Sequence, residues 1–275
     1  MGGTGALVQA LKQLLQEQGV TIRLNSDVDQ ICIENGRATR IKFSDGSSLP
    51  ADKVIFNGDA PHAYRYLLPP SLKRQRLRRP DTATKYSMGL YVLYFGTRRT
   101  YPKVAHHTIW LGERHKELLA DIFDRHINTV DFSLYIHRPT ATDPSFAPTG
   151  CDSFYVLCPV SNTLSNTDWT IEGPALRQRI VEALDRTILP GLEECICADF
   201  WMTPEDFKIR YRSEHGAGFS IAPLLTQSAY FRYHNRDPDI AYLYFTGAGT
   251  HPGAGLPGVL SSAKVVENLL HGADT

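Results

Sequence analysis

Near its carboxyl end the chain carries five glycines within twelve residues, Gly247-Ala248-Gly249-Thr250-His251-Pro252-Gly253-Ala254-Gly255-Leu256-Pro257-Gly258. What flanks this segment constrains the fold more than any other feature does. Ala241 to Thr246 (AYLYFT) is rich in aromatic residues and reads as a strand. Beyond the glycines, Val259, Ala263, Val266 and Leu270 recur at spacings of four, three and four, which is one face of a helix. A strand that feeds through a glycine loop into a helix predicts an α/β fold.

Gly253 to Gly258 matches the pattern G-x-G-x-x-G. The dinucleotide fingerprint of that form needs a second strand with an acidic residue about 20 positions on. The residues after Gly258 leave room for one helix and no further strand, so this is not that fingerprint. The chemistry of the segment is still that of a ligand cradle. Missing side chains let the backbone approach a bound group closely. The helix that follows offers free N–H groups and a partial positive charge to an anion or an enolate-like oxygen. A pyrophosphate or the pyrimidine end of a reduced flavin suits such a site. The alternative is a packing turn that binds nothing. His251 then either hydrogen-bonds near the ligand or helps cap the helix.

Elsewhere the patterning alternates between helix and strand. Thr4 reads as an N-cap for a helix through Leu7, Leu11 and Leu14 that stops at Gly19, followed by a strand through Val20, Ile22 and Leu24. Asn35-Gly36 predicts a hairpin between Ile31/Ile33 and Ile41/Phe43, and Asp45-Gly46 a second turn. Residues 51–56 read as a buried strand ending at Asn57-Gly58-Asp59, and residues 88–95, 132–137 and 154–160 as further strands. Pro174 is expected to open a helix through Leu176, Ile180, Leu184 and Ile188, ended by Pro190-Gly191. Pro139 to Gly150 reads as an exposed loop.

Composition removes several classes of function. With 29 basic and 29 acidic residues the net charge is zero, which gives nucleic acid no electrostatic purchase. The five cysteines fit no disulfide framework, so a reducing compartment is expected. The one-residue gap between Cys195 and Cys197 is too short for a zinc pair. His106-His107 and His115 have no H-E-x-x-H context and no carboxylate at ligand spacing, so no metal site is expected. No G-x-S-x-G motif accompanies Ser161, Ser165 or Ser220. The opening MGGTGALVQAL has no basic region ahead of an apolar one, so no secretory leader is expected. The run from Leu90 to Phe95 is far too short to span a bilayer. Lys73, Arg74, Arg76, Arg78 and Arg79 form either a solvated basic helix face or a contact with an anionic bilayer.

The segment YLYFTGAGTHPGAGLPGVLSSAKVVENLL resembles the C-terminal signature of the bacterial-type phytoene desaturases, within the flavin amine oxidase and desaturase superfamily. GGTGALVQALKQLLQEQGVTIRLNSDVDQI, ADKVIFNGDAPHAYRYLLP, KYSMGLYVLYFG and FSIAPLLTQSAYFRYHNRD are similar to other stretches of that family. The resemblance implies an incomplete FAD-binding, Rossmann-like domain at residues 1–58 and 236–275, with a mixed-sheet substrate domain at residues 59–235. It implies FAD as cofactor, with Gly247, Ala248, Gly249 and Thr250 near the pyrophosphate and ribityl chain. Gly255, Pro257, Gly258 and Val259 are then placed near the isoalloxazine, and Val28 at the adenine through backbone atoms. It implies phytoene or a related long polyene as substrate, desaturated toward lycopene. The polyene is expected to lie among aromatic residues, notably those of residues 86–95 and 230–233. The expected location is cytoplasmic, peripheral on the inner face of the cell membrane. Family members begin with a strand, a G-x-G-x-x-G loop, a helix and an acidic residue, which are absent here, so the chain is expected to be a fragment. A sibling flavoenzyme, such as a carotenoid isomerase or retinol saturase, and a truncated non-catalytic product are the alternatives. The resemblance assigns no catalytic base.

Overall fold

The computed structural model describes residues 1–70, 72, 84–128 and 130–272. The basic run at Lys73, Arg74, Arg76, Arg78 and Arg79 lies outside the described residues. Two compact units share the chain. The first combines Met1–Leu24 with Gly89–Glu205, and the second Asn25–Met88 with Asp206–Thr275. The expected boundaries after residues 58 and 235 therefore both fall inside the second unit.

In the second unit, β1 (Val28–Glu34) and β2 (Arg37–Phe43) form an antiparallel hairpin extended by β3 (Ser48–Pro50). Its turn is the one that Asn35-Gly36 predicts. Both residues adopt positive φ, 50° and 75°, as a two-residue turn matched to the strand twist requires. β4 (Val54–Phe56) pairs in parallel with β10 (Leu243–Phe245), Leu243 opposite Val54 and Phe245 opposite Phe56. Ile31, Val54, Leu67, Leu68, Leu243 and Phe245 form the core beneath.

In the first unit, five strands lie in the order β6-β7-β8-β5-β9, antiparallel throughout. They are β5 (Gly89–Thr97), β6 (His107–Trp110), β7 (Leu134–His137), β8 (Asp152–Val160) and β9 (Ile196–Met202). β8 alternates buried and half-buried along its whole length, the period-2 pattern of a strand with one core face. That face carries Phe154, Val156, Cys158 and Val160, and meets Leu176, Ile180 and Leu184 of the long helix Trp169–Arg186. Tyr91 and Phe95, expected beside the polyene, belong to this core instead. The helix Trp169–Arg186 seals the inward face of β5: the Tyr91 hydroxyl donates to the Gly173 carbonyl at 2.9 Å, and Phe95 stacks on Phe154 at 5.0 Å within the same core.

Several local expectations are corrected. The long helix starts at Trp169, ahead of Pro174, because Asp168 Oδ1 accepts the Thr170 N–H at 3.0 Å and caps it. The first helix, Gly3–Glu17, has Gly2 and not Thr4 at its N-cap. Residues 20–24, expected as a strand, do not form one. The carboxyl-terminal helix, Leu256–Gly272, begins three residues before Val259, so Pro257 and Gly258 lie in its first turn. No helix among the described residues is long and apolar enough to cross a membrane.

Candidate functional site

The parallel pair sets the site. In sheets of this kind ligands bind outside the carboxyl ends of the strands. β4 ends in Asn57-Gly58-Asp59 and β10 in Thr246-Gly247-Ala248-Gly249-Thr250, side by side. Thr246 N–H donates to the Phe56 carbonyl at 3.0 Å and Thr246 Oγ1 to Asn57 Oδ1 at 3.1 Å. The glycines permit this close approach. A Cβ on Gly249 would stand 2.9 Å from Ser220 Oγ, 3.3 Å from the Ala60 nitrogen and 3.3 Å from Asp59 Oδ1. Gly247 turns at φ 105° with its N–H donating to the fully buried Ser262 Oγ at 2.9 Å, and Thr250 Oγ1 donates to the Gly247 carbonyl at 2.9 Å.

Two charged side chains hold the loops, Arg232 buried and Asp59 half-buried. The Asp59 carboxylate accepts from Ser220 Oγ at 2.5 Å and from the Glu214 N–H at 2.8 Å. Burial raises its pKa above the ordinary carboxylate range, against those two hydrogen bonds and the nearby Arg232 and Arg65. Arg232, only 4% exposed, donates to the carbonyls of Phe219, Ile221, Gln227 and Ala248 at 2.6–3.4 Å. Its guanidinium thus fastens the glycine loop at Ala248 to the segment 219–227. Asn235 Nδ2 adds bonds to the Phe245 and His251 carbonyls at 3.1 and 3.0 Å.

A cleft of about 650 Å³ opens on the same unit, lined by Val28, Gly58, Asp59, His62, Tyr66 and Arg212 among others. Arg212 pairs with Asp27 at 3.0 Å on its wall. Burial, and then the Arg212 charge, lowers the His62 pKa. Asp59 is shared by the cleft and the glycine loop.

The sequence-predicted residues thus divide into three groups. Gly247, Gly249 and Thr250 are buried against the β4 loop and Ala248 is half-buried. Gly255, just ahead of the carboxyl-terminal helix, and Pro257 in its first turn are exposed, with Gly258 and Val259 half-buried. Val28 lies apart from both, at the start of β1 on the cleft wall. Asp59, Ser220 and Arg232 were not singled out by sequence reasoning. Asn57-Gly58-Asp59 reads only as a turn, and nothing local says that its carboxylate meets Ser220 and the Glu214 amide.

Two observations bear on whether a dinucleotide fits. The Cβ side of Gly255 is open, with nothing within 4 Å, while those of Gly247 and Gly249 are taken up by Asn57 and Ser220, and the helix first turn adds N–H groups that lack intrahelical partners. His251 Nδ1 is buried and has no hydrogen-bond partner among the described residues, so the ring does not cap the helix through that atom. Gly258 has a further reason to be glycine, since its Cβ would stand 2.7 Å from the Gly253 carbonyl oxygen.

The model of the family described as flavin containing amine oxidoreductase matches residues 1–266. Among curated proteins, the chain is 45% identical over 271 residues to the lycopene-forming phytoene desaturase of Pseudescherichia vulneris, covering 98% of this chain and 55% of that one. It is 42% identical over 279 residues to the neurosporene-forming phytoene desaturase of Rhodobacter capsulatus, covering 98% and 53%. The chain spans about half the length of the curated relatives it matches. Among solved structures, an oxidoreductase from Methanosarcina mazei superposes with a TM-score of 0.62 at 20% identity, over 97% of this chain and 54% of that one. A putrescine oxidase triple mutant from a cofactor-binding redesign does so at 0.55 and 11%, over 94% and 52%.

Proposed function

This chain belongs to the flavin-containing amine oxidoreductase family, and from that premise we propose that it forms part of an FAD-dependent desaturase converting phytoene toward lycopene. The observation that carries the reading is the glycine-lined junction at the carboxyl ends of β4 and β10, joined to a helix N-terminus and built on half-buried Asp59 and buried Arg232. Bound there, FAD would supply the oxidant that accepts hydride from the polyene. Gly247, Ala248, Gly249 and Thr250 hold the pyrophosphate and ribityl chain by backbone approach. Gly255, Pro257, Gly258 and Val259 meet the isoalloxazine at the helix end. Val28 presents its backbone to the adenine. Asp59 and Arg232 act as positioning residues, since their bonds run to Ser220, the Glu214 amide and loop carbonyls.

An uncharged polyene offers no polar handle, so its site must be apolar and aromatic. The outer face of the first unit's sheet has that character. Tyr94 stacks on Phe200 at 4.6 Å and lies 5.9 Å from Tyr155, which in turn lies 5.8 Å from Tyr135. Phe200 is 59% exposed. In the second unit the turns Leu225–Gln227 and Ala229–Phe231 display Leu225, Tyr230 and Phe231 at 92%, 73% and 64% exposure. Leu225, Tyr230 and Phe231 suit a peripheral seat on the inner face of the cell membrane, where the substrate dissolves.

The test joins this chain to the amino-terminal portion of a relative and purifies the product. A yellow protein that consumes phytoene and sediments with lipid vesicles is expected, with Gly255→Val, whose Cβ meets nothing within 4 Å, colourless though folded. A folded, colourless parent protein would refute the flavin assignment. Sedimentation unchanged by Leu225→Ser with Phe231→Ser would refute the membrane contact.

A further inference from the structure

Three histidines that the flavin reading leaves unused meet at one edge of the first unit's sheet. His106 precedes β6, His107 opens it, and His137 closes β7; antiparallel pairing puts His107 directly opposite His137. His106 Nε2 and His137 Nε2 lie 2.8 Å apart, and one nitrogen from each of the three rings falls within 4.8 Å of the other two. We propose that His106, His107 and His137 form a binding site for a divalent transition-metal ion of the borderline class that favours imidazole, such as Zn²⁺.

The donor set is three imidazoles with no carboxylate, which suits Zn²⁺, Cu²⁺ or Ni²⁺ and not the oxygen-seeking Mg²⁺ or Ca²⁺. At Zn–N distances of about 2.0–2.1 Å, tetrahedral ligand nitrogens stand roughly 3.3 Å apart. The His106–His137 pair must therefore open by about half an ångström and the most distant pair close by about one and a half. Small ring rotations supply both changes. The surroundings already orient two of the rings. His106 Nδ1 bonds Thr142 Oγ1 at 2.5 Å and His107 Nδ1 bonds the Tyr135 hydroxyl at 2.7 Å. Each bond engages one nitrogen and leaves the other to ligate, the outer-shell arrangement that fixes metal-binding histidines. His137 Nδ1 is buried without a partner among the described residues, which leaves Nε2 as this ring's point of engagement. Without an ion, the facing Nε2 atoms need a proton between them. With one, both lone pairs point at the same cation. His107 is exposed, which gives an ion a path in and leaves a further coordination position for water.

Isothermal titration of the 275-residue chain with Zn²⁺, after chelator treatment, tests the site. One ion per chain is expected. His107→Ala, at an exposed position that should not disturb folding, weakens binding at least tenfold. The triple variant His106→Gln/His107→Ala/His137→Gln abolishes it, and His271→Gln leaves it unchanged. Co²⁺ should give the visible absorption of a tetrahedral nitrogen site, lost in His107→Ala. No saturable binding at one ion per chain, or binding that persists in His107→Ala with circular dichroism unchanged, overturns the proposal.

Discussion

The β4–β10 junction makes a sharp prediction at Gly249. Gly249→Ala adds one carbon that would stand 2.9 Å from Ser220 Oγ and 3.3 Å from both the Ala60 nitrogen and Asp59 Oδ1. The backbone nitrogen is fixed in the chain, so Ser220 must yield. Ser220 Oγ holds the half-buried Asp59 at 2.5 Å, so turning it away forfeits a hydrogen bond to a carboxylate, about 1.5–3 kcal/mol. If it stays, overpacking costs about 1–3 kcal/mol. Both routes converge on about 2 kcal/mol, or a Tm lower by about 4–8 °C. Urea unfolding read by circular dichroism measures the loss, and a double-mutant cycle with Ser220→Ala locates it. Because Ser220→Ala removes the clashing oxygen, the double variant should cost about 1 kcal/mol less than the sum of the two singles. A Gly249→Ala protein within about 0.5 kcal/mol of the parent, the scatter of an ordinary surface change, would refute the close approach.

Other residues give independent tests. Arg138 donates Nε and Nη2 to Asp152 at 2.8 and 3.1 Å inside the first unit, and Arg138→Ala strands that carboxylate, lowering stability by about 3–5 kcal/mol in thermal or urea unfolding. Asp59 has a folded pKa raised by burial. Its neutral form favours folding, so its contribution is full below the ordinary carboxylate pKa and is lost as pH rises through the folded value. Asp59→Asn should therefore gain stability relative to the parent at neutral pH and not in acid; a gain of equal size at pH 3 contradicts the burial argument. Burial pushes the Cys158 thiol up to about 12 while Cys197 is exposed. Mass spectrometry after brief iodoacetamide treatment at pH 8 should find Cys197 modified and Cys158 intact until denaturant is added.

What sequence could show followed the range of the interactions concerned. The Asn35-Gly36 hairpin and the helix after the glycine loop depend on near neighbours, and both were legible. The start of the long helix was misread because Pro174 is a conspicuous signal, whereas Asp168 announces itself as a cap only through its bond to Thr170. Tyr91 and Phe95 look the same in sequence whether they line a ligand site or fill a core. Their burial follows from the helix Trp169–Arg186 packing across the inward face of β5, which no local pattern specifies. Asp59 and Arg232 were missed for the same reason, since their partners come from segments far along the chain. His137 lies about thirty residues from His106 and His107, and strand register brings them together where helical spacing could not.

The division of the chain also sets an order of synthesis. β4 leaves the ribosome ahead of its parallel partner β10, which follows roughly 190 residues later, about 10–40 s at ordinary elongation rates. In that interval the first unit has all five of its strands and can fold, while β4 and the hairpin beside it wait with an open edge. An unpaired edge is a template for association with other chains. The nascent protein should thus draw on chaperones most heavily between the emergence of Phe56 and that of Leu243, and a slow-codon stretch placed there should lower soluble yield.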